Sequence, residues 1–190
     1  MLDISDDDPE TAMLCGGTLV ASKYVISCAH CFFMNGTTLN TPMENISLRL
    51  GVHSLRGSGE TFLEEKKIGV VNVHRHPKYI KNLDPWDITV VELAESIDLN
   101  VYTPACLAKT TDTNIFLGKK VTVAGWGGLL STSDKIVNPD VPHEVQVPVR
   151  KCKNYPSTII CAQEKGKGGC YVSKKYKHHP IVCHSNQNIK

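Results

Sequence analysis

The sequence of 190 residues lacks several features that mark large classes of proteins. No apolar run approaches the roughly 18 residues that a membrane-spanning helix needs, so we expect no membrane partner. The formal net charge is only +2, which gives no reason to expect nucleic acid as a partner. Long stretches with the apolar period of amphipathic helices are absent, as are internal repeats. A hydrophobic fraction of 41% is nevertheless enough for a packed core.

A secretion signal is also missing from the start of the chain. Such signals begin with basic residues followed by an apolar stretch. Residues 1–10 are acidic and have neither feature. We interpret this start in one of two ways: the chain is a fragment of a longer secreted precursor, or its first residue is wrongly placed.

Cysteine, in contrast, is abundant, with eight residues in the chain. This is many for a reducing compartment and predicts a secreted, disulfide-bonded protein outside the cell. Two sequons, Asn35-Gly36-Thr37 and Asn45-Ile46-Ser47, agree with that location. They make Asn35 and Asn45 the candidate glycosylation sites.

Short β-rich runs recur between turn signals, and this pattern predicts an all-β sandwich or barrel. The predicted strands are residues 17–20, 24–27, 46–50, 67–74, 89–92, 120–124 and 144–149. One short helical turn is predicted at residues 29–33, and residues 107–117 are predicted to form a polar connector. Residues 171–190 are polar, basic and rich in histidine, without alternation, and are predicted to be a tail outside the domain.

Four sequence blocks occur in an order typical of one enzyme family. They are Cys15-Gly16-Gly17-Thr18-Leu19-Val20, Val25-Ile26-Ser27-Cys28-Ala29-His30-Cys31, Asp87-Ile88-Thr89-Val90-Val91 and Val121-Thr122-Val123-Ala124-Gly125-Trp126-Gly127. The chain thereby resembles the chymotrypsin/trypsin-like serine peptidases over about residues 12–170. The resemblance implies two antiparallel β-barrels, with the second barrel truncated. It predicts a peptidase domain at residues 1–170 that is incomplete at both ends.

The resemblance also assigns roles to two side chains. In such peptidases a histidine takes the proton of a serine hydroxyl, and a buried aspartate fixes the tautomer of that histidine. His30 and Asp87 resemble these two residues by their sequence settings, and the family site lies in the cleft between the barrels. Taken alone, a histidine beside a cysteine is more often a packed or exposed ring, and Asp87 could be an ordinary carboxylate at the end of a strand.

The nucleophile block of the family, Gly-Asp-Ser-Gly-Gly-Pro, is absent from the 190 residues. By alignment on Cys170 the nucleophile position falls on Lys174, and Ser173 lacks the flanking glycines that point two N–H groups at an oxyanion. We therefore expect a serine endopeptidase homologue that is inactive as this chain. The alternatives are a fragment of an active secreted endopeptidase, which would act on proteins or peptides, and a non-catalytic binding or decoy module.

The resemblance implies the disulfides Cys15–Cys31 and Cys152–Cys161. Four cysteines have no inherited partner, namely Cys28, Cys106, Cys170 and Cys183. No cofactor and no metal are expected, because the histidines of the tail show no regular ligand spacing. The strands missing from the second barrel are expected to leave apolar side chains less covered, namely Val121, Val123 and Val147.

Overall fold

The structure is a computed structural model that describes residues 2–4, 13–33, 39, 42–57, 62–80, 86–110, 112–127, 129–130, 136–137, 139–152, 160–162 and 164. Strands, loops and short 3₁₀ turns account for these residues, and none of them lies in an α-helix. None of their helical segments is long and apolar enough to span a bilayer. The chain divides into a first unit, Met1–Val52 with Thr61–Leu107, and a second unit, His53–Glu60 with Ala108–Lys190.

The described part of the first unit forms one antiparallel sheet of seven strands. Its strands are β1 (Leu2–Ile4), β2 (Met13–Cys15), β3 (Thr18–Ala21), β4 (Tyr24–Ser27), β5 (Ile46–Leu50), β6 (Lys66–Arg75) and β7 (Thr89–Leu93). Their order across the sheet is β2-β1-β5-β6-β7-β4-β3. Strands that are distant in sequence are therefore neighbours, and β4 comes to lie directly beside β7.

Alternating side chains of these strands form the core of the first unit. In β7 every second residue is buried, which places Thr89, Val91 and Leu93 on the inner face. In β6 the register against β7 shifts between Val70 and Asn72. A β-bulge of this kind changes which residues face inward, so Val73 rather than Asn72 continues the buried series after Val70.

Gly51 shows why one position after β5 needs glycine. Its φ angle is +71°, in the left-handed region that side chains with a Cβ rarely adopt. A Cβ added at this position would also lie 2.5 Å from the carbonyl oxygen of Glu64. Both the backbone angle and the close approach therefore exclude larger residues.

In the second unit the described strands form two small antiparallel sheets. Its strands are β8 (Lys120–Gly125), β9 (Leu129–Leu130), β10 (Ile136–Val137), β11 (His143–Arg150) and β12 (Cys161–Ala162). The order β12-β11-β8 forms one sheet, and β9 pairs with β10 in the other.

The expectation that apolar side chains of the second unit would be poorly covered is wrong. Val121, Val123 and Val147 are only 5%, 6% and 0% exposed. The register of β8 on β11 places Val121 opposite Val147, so their side chains share one face of the sheet. Partly buried residues complete this cluster, namely Phe116, Val145, Ile160 and Ala162.

Candidate active site

His30 is carried by a short turn that directly follows β4. Ala29–Cys31 forms a 3₁₀ helix in which Ala29 and Cys31 are buried. The backbone N–H groups of Phe32 and Phe33 both donate to the carbonyl oxygen of Ala29, at 3.0 and 2.9 Å. With its two neighbours packed inward, the His30 side chain remains 36% exposed and can meet a reactant.

Asp87 reaches His30 because of the pairing of β4 with β7. Ser27, the last residue of β4, lies opposite Thr89, the first residue of β7. Since the strands are antiparallel, the residues that follow β4 and those that precede β7 meet at the same end of the sheet. Asp87 lies two residues before β7 and is therefore brought to the His30 turn.

Both carboxylate oxygens of Asp87 accept hydrogen bonds from His30. The ring Nδ1 of His30 lies 2.7 Å from Oδ2, and the backbone N–H of His30 donates to Oδ1 at 2.8 Å. The Asp87 side chain is 1% exposed. An ionised carboxylate can only accept, so the proton of a neutral ring resides on Nδ1 and its lone pair on Nε2. This is the tautomer that a histidine general base requires.

Cys28 lies beside this pair, and sequence reasoning assigned it no role. Burial, and secondly the charge of Asp87, raise the pKa of the Cys28 thiol to about 12. The thiolate is the reactive form of cysteine, and at neutral pH almost none would be present. Cys28 is therefore poorly suited to act as a nucleophile.

Each of the two units contains a disulfide among its described residues. Cys15 bonds to Cys31, with an S–S distance of 2.09 Å, and this bond joins β2 to the turn that carries His30. Cys152 bonds to Cys161 in the second unit. Cys106 is an exposed thiol, whereas Cys170 and Cys183 lie outside the described residues.

Trp86 is a neighbour of the site that sequence reasoning missed. Its ring stacks on the ring of His76, with centroids 4.7 Å apart and an angle of 11° between the planes. The Lys78 ammonium lies 4.7 Å from the centre of the Trp86 ring. In the sequence, the only indication of this role was that Trp86 directly precedes Asp87. The stack on His76 holds the chain in place just before Asp87.

The remaining sequence-predicted sites are only partly described. Asn45 ends a 3₁₀ turn, Met43–Asn45, and is half-buried, while Ser47 of the same sequon is buried in β5. Asn35, Ser173 and Lys174 lie outside the described residues.

Comparison with known proteins decides the family. The family model described as Trypsin matches residues 2–172. This chain belongs to the trypsin family. It is 31% identical to Trypsin-3 of Salmo salar over 180 residues, which cover 89% of this chain and 67% of that protein. It is also 31% identical to mannan-binding lectin serine protease 1 of Mus musculus over 177 residues, which cover 82% of this chain and 24% of that protein.

The solved structures agree with trypsin-family membership. Neuropsin, a serine protease expressed in the limbic system of mouse brain, aligns with a TM-score of 0.59 and 28% identity. That alignment covers 83% of this chain and 66% of neuropsin. The predicted all-β fold of the trypsin-like type is thus confirmed. The chain nevertheless spans only about a quarter of the mouse mannan-binding lectin protease that it matches.

Proposed function

We propose that this chain is a serine endopeptidase homologue that keeps the histidine–aspartate pair but does not itself hydrolyse peptide bonds. One contrast supports this proposal. His30 Nδ1 lies 2.7 Å from the buried carboxylate of Asp87. Yet the 190 residues contain no Gly-Asp-Ser-Gly-Gly-Pro block, which in the family carries the serine whose proton the histidine removes.

The chemistry of the pair explains why it is insufficient alone. Asp87 orients the His30 ring and stabilises the imidazolium that forms when Nε2 accepts a proton. Peptide hydrolysis in this family also needs a serine oxygen to attack the carbonyl carbon. In a comparable serine peptidase, removal of the nucleophile lowers kcat about 2 × 10⁶-fold. That factor corresponds to roughly 8–9 kcal/mol of activation free energy.

A fluorophosphonate probe tests this proposal directly, because it labels only an activated serine. The chain should remain unlabelled under conditions in which trypsin reacts completely. Proton NMR on the same sample provides the control, since a strongly deshielded His30 Nδ1 proton shows that the hydrogen bond to Asp87 has formed. Labelling of Ser173, or of any other serine, would refute the proposal.

A second function is favoured by the intact geometry of the pair. Both oxygens of Asp87 are engaged by His30, which is the arrangement that a working general base needs. A longer product of the same gene that carries the nucleophile block would then be an active endopeptidase with protein substrates. Transcript sequencing tests this candidate: a Gly-Asp-Ser-Gly-Gly-Pro codon run downstream supports it, and a verified transcript without one opposes it.

We also propose an extracellular location. The described residues form two disulfides, Cys15–Cys31 and Cys152–Cys161, and such bonds persist in oxidising compartments. Recovery of the chain from the medium of expressing cells, with both disulfides intact, would support this location. Recovery only from the cytosol, with reduced thiols, would oppose it.

A further inference from the structure

Three donor groups of different chemistry converge beside the His30 turn. The Cys28 sulfur, a ring nitrogen of His30 and a carboxylate oxygen of Asp87 all lie within 4.8 Å of one another. The sequence predicted no metal site, because the histidines of the tail show no regular ligand spacing. We propose that Cys28 Sγ, His30 Nδ1 and Asp87 Oδ2 form a zinc-binding site.

The donor set fits zinc better than the other common ions. Thiolate, imidazole and carboxylate are the three ligand types of Zn²⁺ in proteins, whereas Mg²⁺ and Ca²⁺ favour oxygen alone. Three protein ligands leave a fourth position for water, as in zinc sites that are open to solvent. The His30 side chain is 36% exposed and the Asp87 side chain 1%, so the ion would have to enter past the His30 ring.

The required movement of the ligands is small. Donor atoms on a tetrahedral zinc ion lie roughly 3.3–3.6 Å apart, given bond lengths of about 2.0–2.3 Å. His30 Nδ1 and Asp87 Oδ2 are now 2.7 Å apart and must separate slightly. The sulfur of Cys28, within 4.8 Å of the other donors, must approach them. Zinc binding therefore requires the three side chains to rotate.

A neighbouring group of donors is excluded by its bonding. Cys15, His30 and Cys31 also lie within 4.8 Å of one another. Cys15 and Cys31 are joined in a disulfide, however, so neither sulfur is a thiolate. Cys28 is the cysteine near His30 that carries a thiol.

Zinc binding has a defined proton balance. Zn²⁺ forms bonds to Sγ, Nδ1 and Oδ2. The Cys28 thiol proton leaves to solvent, and the proton of Nδ1 moves to Nε2, so the imidazole remains neutral. One proton is released for each ion bound. With its proton on Nε2 the His30 ring cannot act as a base, so zinc holds the pair in an inactive form. The site needs no nucleophilic serine, and it therefore stands independently of the proposed function.

Cobalt titration of the full chain, with disulfides kept intact, tests the site. Co²⁺ replaces Zn²⁺ and gives a thiolate-to-metal absorption band in the near ultraviolet only when a cysteine sulfur is bound. We expect this band to appear, to be abolished by Zn²⁺, and to be lost in Cys28→Ser. It should remain in Cys106→Ser, the matched control at an exposed thiol. It should also remain when His178, His179 and His184 are all replaced by alanine.

The affinity should respond to each ligand separately. Loss of a residue that only hydrogen-bonds a metal ligand weakens metal binding about 10- to 100-fold. Loss of a ligand itself should cost at least as much, so Cys28→Ser and His30→Ala should each weaken Zn²⁺ binding at least about tenfold. Because a variant could misfold, a second measurement uses the unsubstituted chain. Nitrogen-15 NMR of the histidine rings should show the His30 proton moving from Nδ1 to Nε2 when Zn²⁺ is added. A band that survives Cys28→Ser, the absence of a band, or an unchanged His30 tautomer at saturating Zn²⁺ would each overturn the proposal.

Discussion

Tyr79 donates its hydroxyl hydrogen to the carbonyl oxygen of Phe33, at 3.0 Å, and is itself only 1% exposed. Phe33 lies two residues after Cys31, the last residue of the turn that carries His30, so this bond fixes the chain just after the turn. Tyr79 is held in turn by Arg75, whose Nη1 donates to the Tyr79 carbonyl oxygen at 2.5 Å. The position of His30 therefore depends on a tyrosine far away in the sequence.

Replacement of Tyr79 by phenylalanine should lower the free energy of unfolding by about 1–3 kcal/mol. The change removes one buried hydrogen bond and leaves the Phe33 carbonyl without that donor. Urea denaturation measures the loss. Tyr24→Phe is the matched control, because Tyr24 is 41% exposed and its replacement should change stability by less than about 0.5 kcal/mol. Equal stability of the two variants would contradict the role given to Tyr79.

Removal of the Cys15–Cys31 disulfide, by replacing both cysteines with alanine, should lower the free energy of unfolding by roughly 3 kcal/mol. This is the chain-entropy effect expected for a loop of 16 residues. The His30 turn should also lose order, since Cys31 belongs to it, and the NMR signal of the His30 Nδ1 proton should broaden. The matched variant without Cys152–Cys161, which lies in the second unit, should leave that His30 signal sharp. Loss of the signal in both variants would contradict this account.

Iodoacetamide should label Cys28 at least about a hundredfold more slowly than Cys106 at neutral pH. The pKa of the Cys28 thiol is raised to about 12 by burial and by Asp87, whereas Cys106 is exposed. Peptide mapping over time measures both rates, and in urea they should become similar. Rapid labelling of Cys28 in the folded chain would show that the thiol is not buried in solution.

The same pKa predicts how stability responds to alkaline pH. Below the ordinary pKa of 9.0 the Cys28 thiol is protonated in both the folded and the unfolded chain. As the pH rises from 9.0 toward about 12, the unfolded chain loses this proton while the folded chain keeps it. The free energy of unfolding should therefore fall across that window. Cys28→Ser should remove this part of the pH dependence.

Hydrogen exchange should show weaker protection in β8 and β11 than in β4, β6 and β7. Among the described residues, the first unit buries fourteen apolar side chains in one cluster, whereas the cluster of the second unit contains four. In addition, β8 is an edge strand of its described sheet. The N–H and C=O groups on its outer side pair with no described strand. Equal and high protection of both sets of strands in a monomer would show that the second unit is more stable than we infer.

Local sequence patterns were sufficient to predict most of the strands. Residues 24–27 and 46–50 were predicted as strands and match β4 and β5 at both ends, because alternation and turn signals are visible there. Strand β1 was missed, since its residues lie in an acidic segment without alternation and gain their place by pairing with β5. Such non-local pairing leaves no local signal.

The site was predictable only in part. The residues that flank His30 and Asp87 resemble those of the family, and this resemblance predicted that the two side chains interact. The pairing of β4 with β7 brings them together. The approach of Cys28 to Asp87 had no sequence signal, since it depends on how two distant segments pack. Val121 was expected to be less covered, and this was wrong for a related reason. Phe116 and Ile160, which pack against its cluster, lie outside the predicted strands.

Turnover of peptide esters and amides tests the proposal that the chain keeps the His30–Asp87 pair but does not itself hydrolyse peptide bonds. The 190-residue chain and its His30→Ala variant should hydrolyse these substrates no faster than buffer. Trypsin assayed in parallel shows that the substrates are competent. Turnover by the unsubstituted chain that disappears in His30→Ala would contradict the account, because it would require a nucleophile that His30 activates.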